Sequence, residues 1–169
     1  SRGNNYLQTW TDAGTTPSET YVTVAPNHSS DETWKQFKQV TIEAGWTISD
    51  NPSDNVTRAV YVDNGTEFKG TFKTELDKRG VRINLTTPNK HNTGKSGKIE
   101  RANRSVQTVM RTNLALAAEN FAEFGLETQA YWDRAAEHAA HVMRTNIAID
   151  KLPATMSATL TRHHRENIT

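Results

Sequence analysis

The segment Ala59-Val60-Tyr61-Val62-Asp63 constrains the fold of this chain more than any other. Four apolar or aromatic residues run without alternation, end in a carboxylate and meet Asn64-Gly65, a turn pair. A short apolar run bounded by turn residues predicts a strand buried on both faces, as in a mostly parallel sheet. Phe68, Phe72 and Leu76 then recur at four-residue steps, a helical pattern that Gly80 closes. Alternation over 81–86 reads as a second strand, so the middle of the chain is one strand–helix–strand unit.

The flanks fill in the architecture. Residues 6–11 and 20–25 mix β-branched and aromatic side chains and read as strands, joined by a turn at Asp12-Ala13-Gly14-Thr15-Thr16-Pro17. Ser29 with Glu32 three residues on matches a capping box. Trp34, Phe37, Val40 and Ala44 follow at helical spacing, which predicts a helix over about 30–45. Residues 49–56 read as a polar loop, and residues 87–97 as a longer one rich in Gly, Asn and Lys. A helix is expected from Lys98 to about Ala118, with Ile99, Ala102, Val106, Val109 and Ala117 on its apolar side. A last helix covers about 127–148, with Trp132, Ala136, Ala139 and Met143 in register, and Pro153 marks an irregular tail. Strands first, helices later and a strand–helix–strand unit between them make the class α/β.

A length of 169 residues suits one domain with a real core. Twenty basic against nineteen acidic residues leave a net charge of +1, so any nucleic-acid surface must come from local clustering. There is no cysteine, which excludes disulfides, cysteine-based zinc sites and a thiol nucleophile. No apolar run approaches the roughly 18 residues of a membrane span. The first residues, Ser1 to Asn5, lack a hydrophobic signal region, so an intracellular chain is expected and triplets such as Asn55-Val56-Thr57 carry no glycan.

Two carboxylates invite a chemical reading. Asp63 ends a strand, where open α/β sheets place ligand-binding groups; it is equally an Asp-Asn-Gly turn residue. Glu100 opens a helix behind a flexible loop, where the helix dipole also favours an acid. Arg104, Gln107 and Arg111 continue the Glu100 stripe. Long donors along one face suit a phosphate backbone, and they suit a solvated face with an i,i+4 ion pair as well. Gly94-Lys95-Ser96 has the tail of a phosphate-binding loop, but that motif needs a glycine where Asn89 stands. His138 and His141, beside Glu137, lack the pattern of a zinc site and read as members of an Ala-rich helix.

Taken together, Val62-Asp63-Asn64-Gly65-Thr66-Glu67-Phe68, Phe72, Leu76, Gly80-Val81, Thr87-Pro88 and Ile99-Glu100-Arg101-Ala102-Asn103-Arg104 resemble a retroviral-type integrase catalytic core. That family carries Asp-Asn-Gly-x-Glu-Phe and then Glu-Arg-x-Asn-Arg, at a separation close to the 36 residues between Asp63 and Glu100 here. Ser30 to Lys38 resembles the first core helix, and Tyr131 to Ala140 resembles the helix after the core in Copia-type retrotransposon polyproteins. The similarity spans roughly 1–150 and is densest over 58–113.

The resemblance implies an RNase H-like mixed sheet flanked by helices, with the first, central strand expected to be missing. Residues 1–118 would form the core, 119–150 a helical extension and 151–169 a tail. It implies processing of retrotransposon DNA ends and joining to target DNA, by three acids that hold two Mg²⁺ (or Mn²⁺) ions. Hard cations take oxygen ligands, and such a pair activates the attacking oxygen and stabilises the leaving one. Asp63 would be the second acid and Glu100 the third. The first would lie upstream of Ser1. Asp12 is a further candidate, although its match to the family's second strand makes it a strand-end turn residue. DNA contacts would come from Lys90, Lys95, Lys98, Arg104, Gln107 and Arg111. Double-stranded DNA as partner, homo-oligomers of the intact protein, and a nuclear or virus-like-particle location follow from the same resemblance. The loop over 88–97 lacks the family's second Pro and its Gln, so a catalytically inactive, nucleic-acid-binding derivative is the alternative.

Overall fold

The computed structural model describes residues 3–12, 19–55, 57, 59–86 and 96–145. Strands β1 (Tyr6–Thr11) and β2 (Thr20–Ala25) pair antiparallel, with Trp10 opposite Tyr21 and Leu7 opposite Val24. Side chains alternate along each strand, so Trp10 and Tyr21 share one face while Leu7, Val22 and Val24 share the other. Helix α1 (Ser30–Glu43) begins at Ser29, whose hydroxyl accepts the Glu32 amide at 3.3 Å. The return half of the capping box is absent. Glu32 instead accepts from the Gln36 amide at 2.6 Å, and the Ser29 amide donates to Asn27 Oδ1 at 2.9 Å.

Strands β3 (Ala59–Val62) and β4 (Arg82–Leu85) pair parallel, with Val60 opposite Ile83. Helix α2 (Thr71–Lys78) connects them. The parallel pairing matches the sequence expectation; the burial does not. Val62 is buried and Val60 and Ile83 pack on the core, but Tyr61 is 45% exposed, so the run is covered on one face only. Phe68 also leaves the expected helix. It belongs to a 3-10 turn over Thr66–Phe68, and Gly70 (φ +63°, ψ −129°) redirects the chain before α2 starts. Gly70 has no side chain to cap α2. Ser30 of α1 does so in its place, accepting the Phe72 amide at 2.9 Å while its hydroxyl donates to the Lys69 carbonyl.

One aromatic core joins the two strand pairs. Phe72 is fully buried with its ring 5.5 to 6.4 Å from those of Trp10, Trp34, Phe37 and Phe68. Val40, Val62, Leu76 and Val81 complete the cluster. A second cluster lies on the far face of β1–β2. There Val22 and Leu7 meet Val106, Val109 and Met110 of α3 (Ser96–Glu123) and Ala136, Ala139 and Ala140 of α4 (Trp132–Thr145). Small Ala side chains let α4 approach closely, so the order of layers is α1 and α2, strands, α3 and α4. α3 runs unbroken across residue 118. Among the described residues no ladder joins β1–β2 to β3–β4; the sheet is split in two. The turn over 13–17, the loop over 87–95 and the tail beyond 145 lie outside the described residues.

Candidate metal and nucleic-acid site

β3 delivers Asp63 to the rim of the sheet. The carboxylate follows the last strand residue, is exposed, and accepts the Gly65 amide on Oδ1 at 3.0 Å, an Asx turn that fixes its direction. Thr86 tightens the neighbouring strand end. Its amide and hydroxyl both bond the Val62 carbonyl, at 2.7 and 3.1 Å. Glu67 folds back over the same turn, so that a Cβ placed on Gly65 would collide with its carboxylate. Glu67 belongs to the family segment, and the sequence alone assigns it no role. The available signal was the glycine between two acids, which leaves space for the second to fold toward the first.

Glu100 is exposed on α3. The helix begins at Ser96, so Glu100 stands in the second turn rather than the first, and the first turn carries no acid. The dipole explanation for an acid at this place weakens accordingly, because that effect fades beyond the first turn. Arg104, Gln107 and Arg111 are exposed on the same stripe. The expected Glu100–Arg104 ion pair does not form, and among the described residues Arg101, Arg104 and Arg111 pair with no carboxylate. Arg101, Arg104, Ser105, Thr108 and Val109 line a shallow, open groove. Arg101, Ser105 and Thr108 lie off the Glu100 stripe, on a neighbouring one that starts at Arg101.

Lys98 is partly buried near the start of α3. Lys90 and Lys95 lie outside the described residues. Asp12 follows β1, where its carboxylate accepts from Trp46 Nε1 at 3.3 Å and its amide donates to the Glu19 carbonyl at 3.0 Å. Those bonds are what the strand-end reading expects. His138 sits with Nδ1 at 3.0 Å from Asn113 Nδ2, and His141 is exposed. Among the described residues no three His, Asp or Glu side chains gather into a group able to hold a metal. No described helix is long and apolar enough to cross a membrane.

The sequence matches no family model and no curated protein. The fold does find neighbours. The chain superposes on the catalytic core domain of BIV integrase with a TM-score of 0.55 and 15% identity, covering 86% of this chain and 82% of that domain. It also superposes on a chain of the simian T-cell lymphotropic virus intasome, solved in complex with PP2A regulatory subunit B56 gamma. That match has a TM-score of 0.57 and 17% identity, and covers 88% of this chain. The chain spans only 44% of that neighbour's length. At these identities the likeness is one of fold, and the fold is that of an integrase-type catalytic core.

Proposed function

We propose that this chain is the RNase H-like core of a DNA-joining enzyme of the Copia retrotransposon type, which processes element ends and joins them to target DNA. The observation that carries the reading is an integrase-core fold together with two exposed acids, Asp63 just after a parallel strand and Glu100 on α3. Both carboxylates lack a cationic partner among the described residues, which leaves oxygens for a hard cation such as Mg²⁺ or Mn²⁺. When bound, two such ions supply charge stabilisation for an in-line displacement at phosphorus. The chain's own contribution is to hold Asp63 in its Asx turn and to present donors to phosphates. Those donors are Lys98, Arg104, Gln107 and Arg111, with Lys90 and Lys95 outside the described residues.

The split sheet supports a third acid on an added strand. Each of the four strands has one outer edge, and those of β1 and β3 are rows of backbone donors and acceptors that an inserted strand would satisfy. We expect weak Mg²⁺ binding and no measurable DNA cutting from residues 1–169, and cutting once an upstream strand bearing Asp is present. Asp63→Asn or Glu100→Gln then abolishes it. The second reading, an inactive DNA-binding domain, rests on the absence of a three-acid group among the described residues. It prevails if the extended chain folds and binds DNA without cutting. Robust Mg²⁺-dependent cutting by residues 1–169 alone would overturn the upstream assignment and make Asp12 the first acid to substitute. Homo-oligomers of the intact protein and work on DNA in the nucleus or a virus-like particle belong to the same proposal.

A further inference from the structure

Asp63 lies beyond the end of β3, yet a relay of hydrogen bonds ties its segment to helix α1. Its Oδ1 accepts the Gly65 amide at 3.0 Å. The Gly65 carbonyl accepts the Phe68 amide at 3.4 Å, and the Thr66 carbonyl accepts the Lys69 amide at 3.1 Å. The Lys69 carbonyl then accepts the hydroxyl of Ser30, 39 residues away in the chain. That same hydroxyl accepts the Phe72 amide at 2.9 Å. A cap for α2 needs only the last of these bonds, because a helix N-terminal amide asks for an acceptor. The bond to Lys69 is spent on the other side of Gly70, on the segment that starts at Asp63. Gly70, at φ +63°, adopts this backbone as readily as several others, so the hinge does not hold the segment in place by itself. Phe68 steadies the middle of the segment, its ring 5.5 Å from that of Phe72. On the strand side, the Thr86 hydroxyl holds the Val62 carbonyl at 3.1 Å.

We propose that Ser30 is a positioning residue for Asp63. Its hydroxyl, with donor and acceptor roles both used, sets the path of residues 63–70 and through it the direction of the carboxylate. Ser30 acts through Asp63 and holds no ligand itself. The consequence for metal binding rests on the reading of Asp63 as a cation ligand; the consequence for the Asp63 side chain stands apart from it. A carboxylate fixed before a cation arrives loses less freedom on binding it. Partners that orient a metal ligand typically carry about ten- to a hundredfold in affinity. Removing the Ser30 hydroxyl frees the Lys69 carbonyl and the Phe72 amide together, so Gly70 can turn and the Asx turn at Asp63 loses its far support.

NMR of residues 1–169 tests the assignment with Ser30→Ala, Ser30→Thr and Ser29→Ala. Ser29 caps α1 by accepting the Glu32 amide, so Ser29→Ala is the control for lost stability alone. Three-bond couplings read the Asp63 side chain. One rotamer is expected in the parent chain, in Ser29→Ala and in Ser30→Thr, and averaging among rotamers in Ser30→Ala. Mn²⁺ titration, followed by broadening of the Asn64 and Gly65 amides, should give an affinity about tenfold weaker in Ser30→Ala and nearly unchanged in the other two. An Asp63 side chain that averages in the parent chain, or keeps one rotamer in a folded Ser30→Ala, overturns the proposal. Equal averaging in Ser29→Ala overturns it as well, since Ser30 would then act only through general stability. If Ser30→Ala does not fold, Ser30→Cys, of similar size but a weaker donor and acceptor, is read by the same couplings against the same outcomes. If the couplings change as expected while Mn²⁺ broadens neither amide even in the parent chain, the positioning stands and the metal reading of Asp63 falls.

Discussion

The β1–β2 pair and the β3–β4 pair lean on the same aromatic core, yet the first is covered on two faces and the second on one. α1 covers the Trp10 and Tyr21 face of β1–β2, and α3 with α4 covers the Leu7 and Val22 face. β3–β4 has Val60, Val62 and Ile83 on the core, and Tyr61, 45% exposed, on its other face. The acid at the strand end, Asp63, belongs to the half-covered pair. Cohesion is concentrated on one side of the molecule, while the other keeps its polar rim exposed. The largest test of that contrast is a pair of substitutions. Phe72→Ala empties the shared core and should cost about 3–5 kcal/mol in urea unfolding, whereas Tyr61→Ala, at a ring nearly half exposed, should cost distinctly less. Equal losses would mean that the Tyr61 face is covered after all.

A smaller effect comes from the turn that returns the chain to β4. Gly80 has φ +67°, and a Cβ there would stand 3.0 Å from the Pro52 side chain. Gly80→Ala should therefore destabilise by about 1–2 kcal/mol in the same melts. Loss of DNA binding without loss of stability would show instead that this turn serves the rim alone.

Charge on α3 sharpens the comparison from the binding side. Replacing Arg104 and Arg111 together by Ala should lower DNA affinity and flatten its salt dependence by about two phosphate contacts, with the melt nearly unchanged. An unchanged salt slope would remove this face from the DNA path.

Much of the molecule could be read from the residues because its signals are local. Both strands of the first pair fall where β-branched and aromatic residues cluster, and Ser29 starts α1 as the capping pattern expects. What could not be read depends on tertiary company. Continuous hydrophobicity in Ala59–Val62 says that a strand is apolar, not how many layers cover it, and Tyr61 with its polar hydroxyl tolerates water. The spacing of Phe68, Phe72 and Leu76 hid the break at Gly70, because a 3-10 turn followed by a helix keeps all three rings or chains on the core. Asp63 and Glu100 stand out by their segments, whereas the groove residues Arg101, Ser105 and Thr108 are brought together only by the exposed face of α3. Ser30 capping a helix 42 positions away has no sequence signature at all.

The least of the expected effects lies in the pH dependence, which reads the two regions from opposite ends. Burial, and then the hydrogen bond to Glu19 at 2.5 Å, push the Tyr21 hydroxyl of β2 well above the usual tyrosine range. The folded state thus keeps a proton that the unfolded chain releases near pH 10. That stability is present below pH 10 and lost as pH rises past it, so Tyr21→Phe should flatten the alkaline limb of the stability curve. Glu75 of α2 moves the other way. The Lys78 ammonium and then the Arg79 guanidinium hold its carboxyl below the usual range, so its contribution is present above the unfolded value near 4.3 and fades as pH falls. Glu75 and its partners are partly or largely in water, where screening leaves little net stabilisation. Glu75→Gln should therefore shift the acid unfolding midpoint by only a fraction of a pH unit, less than Tyr21→Phe changes the alkaline limb. The reverse ranking would show that the α2 ion pairs, and not the β2 hydroxyl, carry the greater share of electrostatic cohesion.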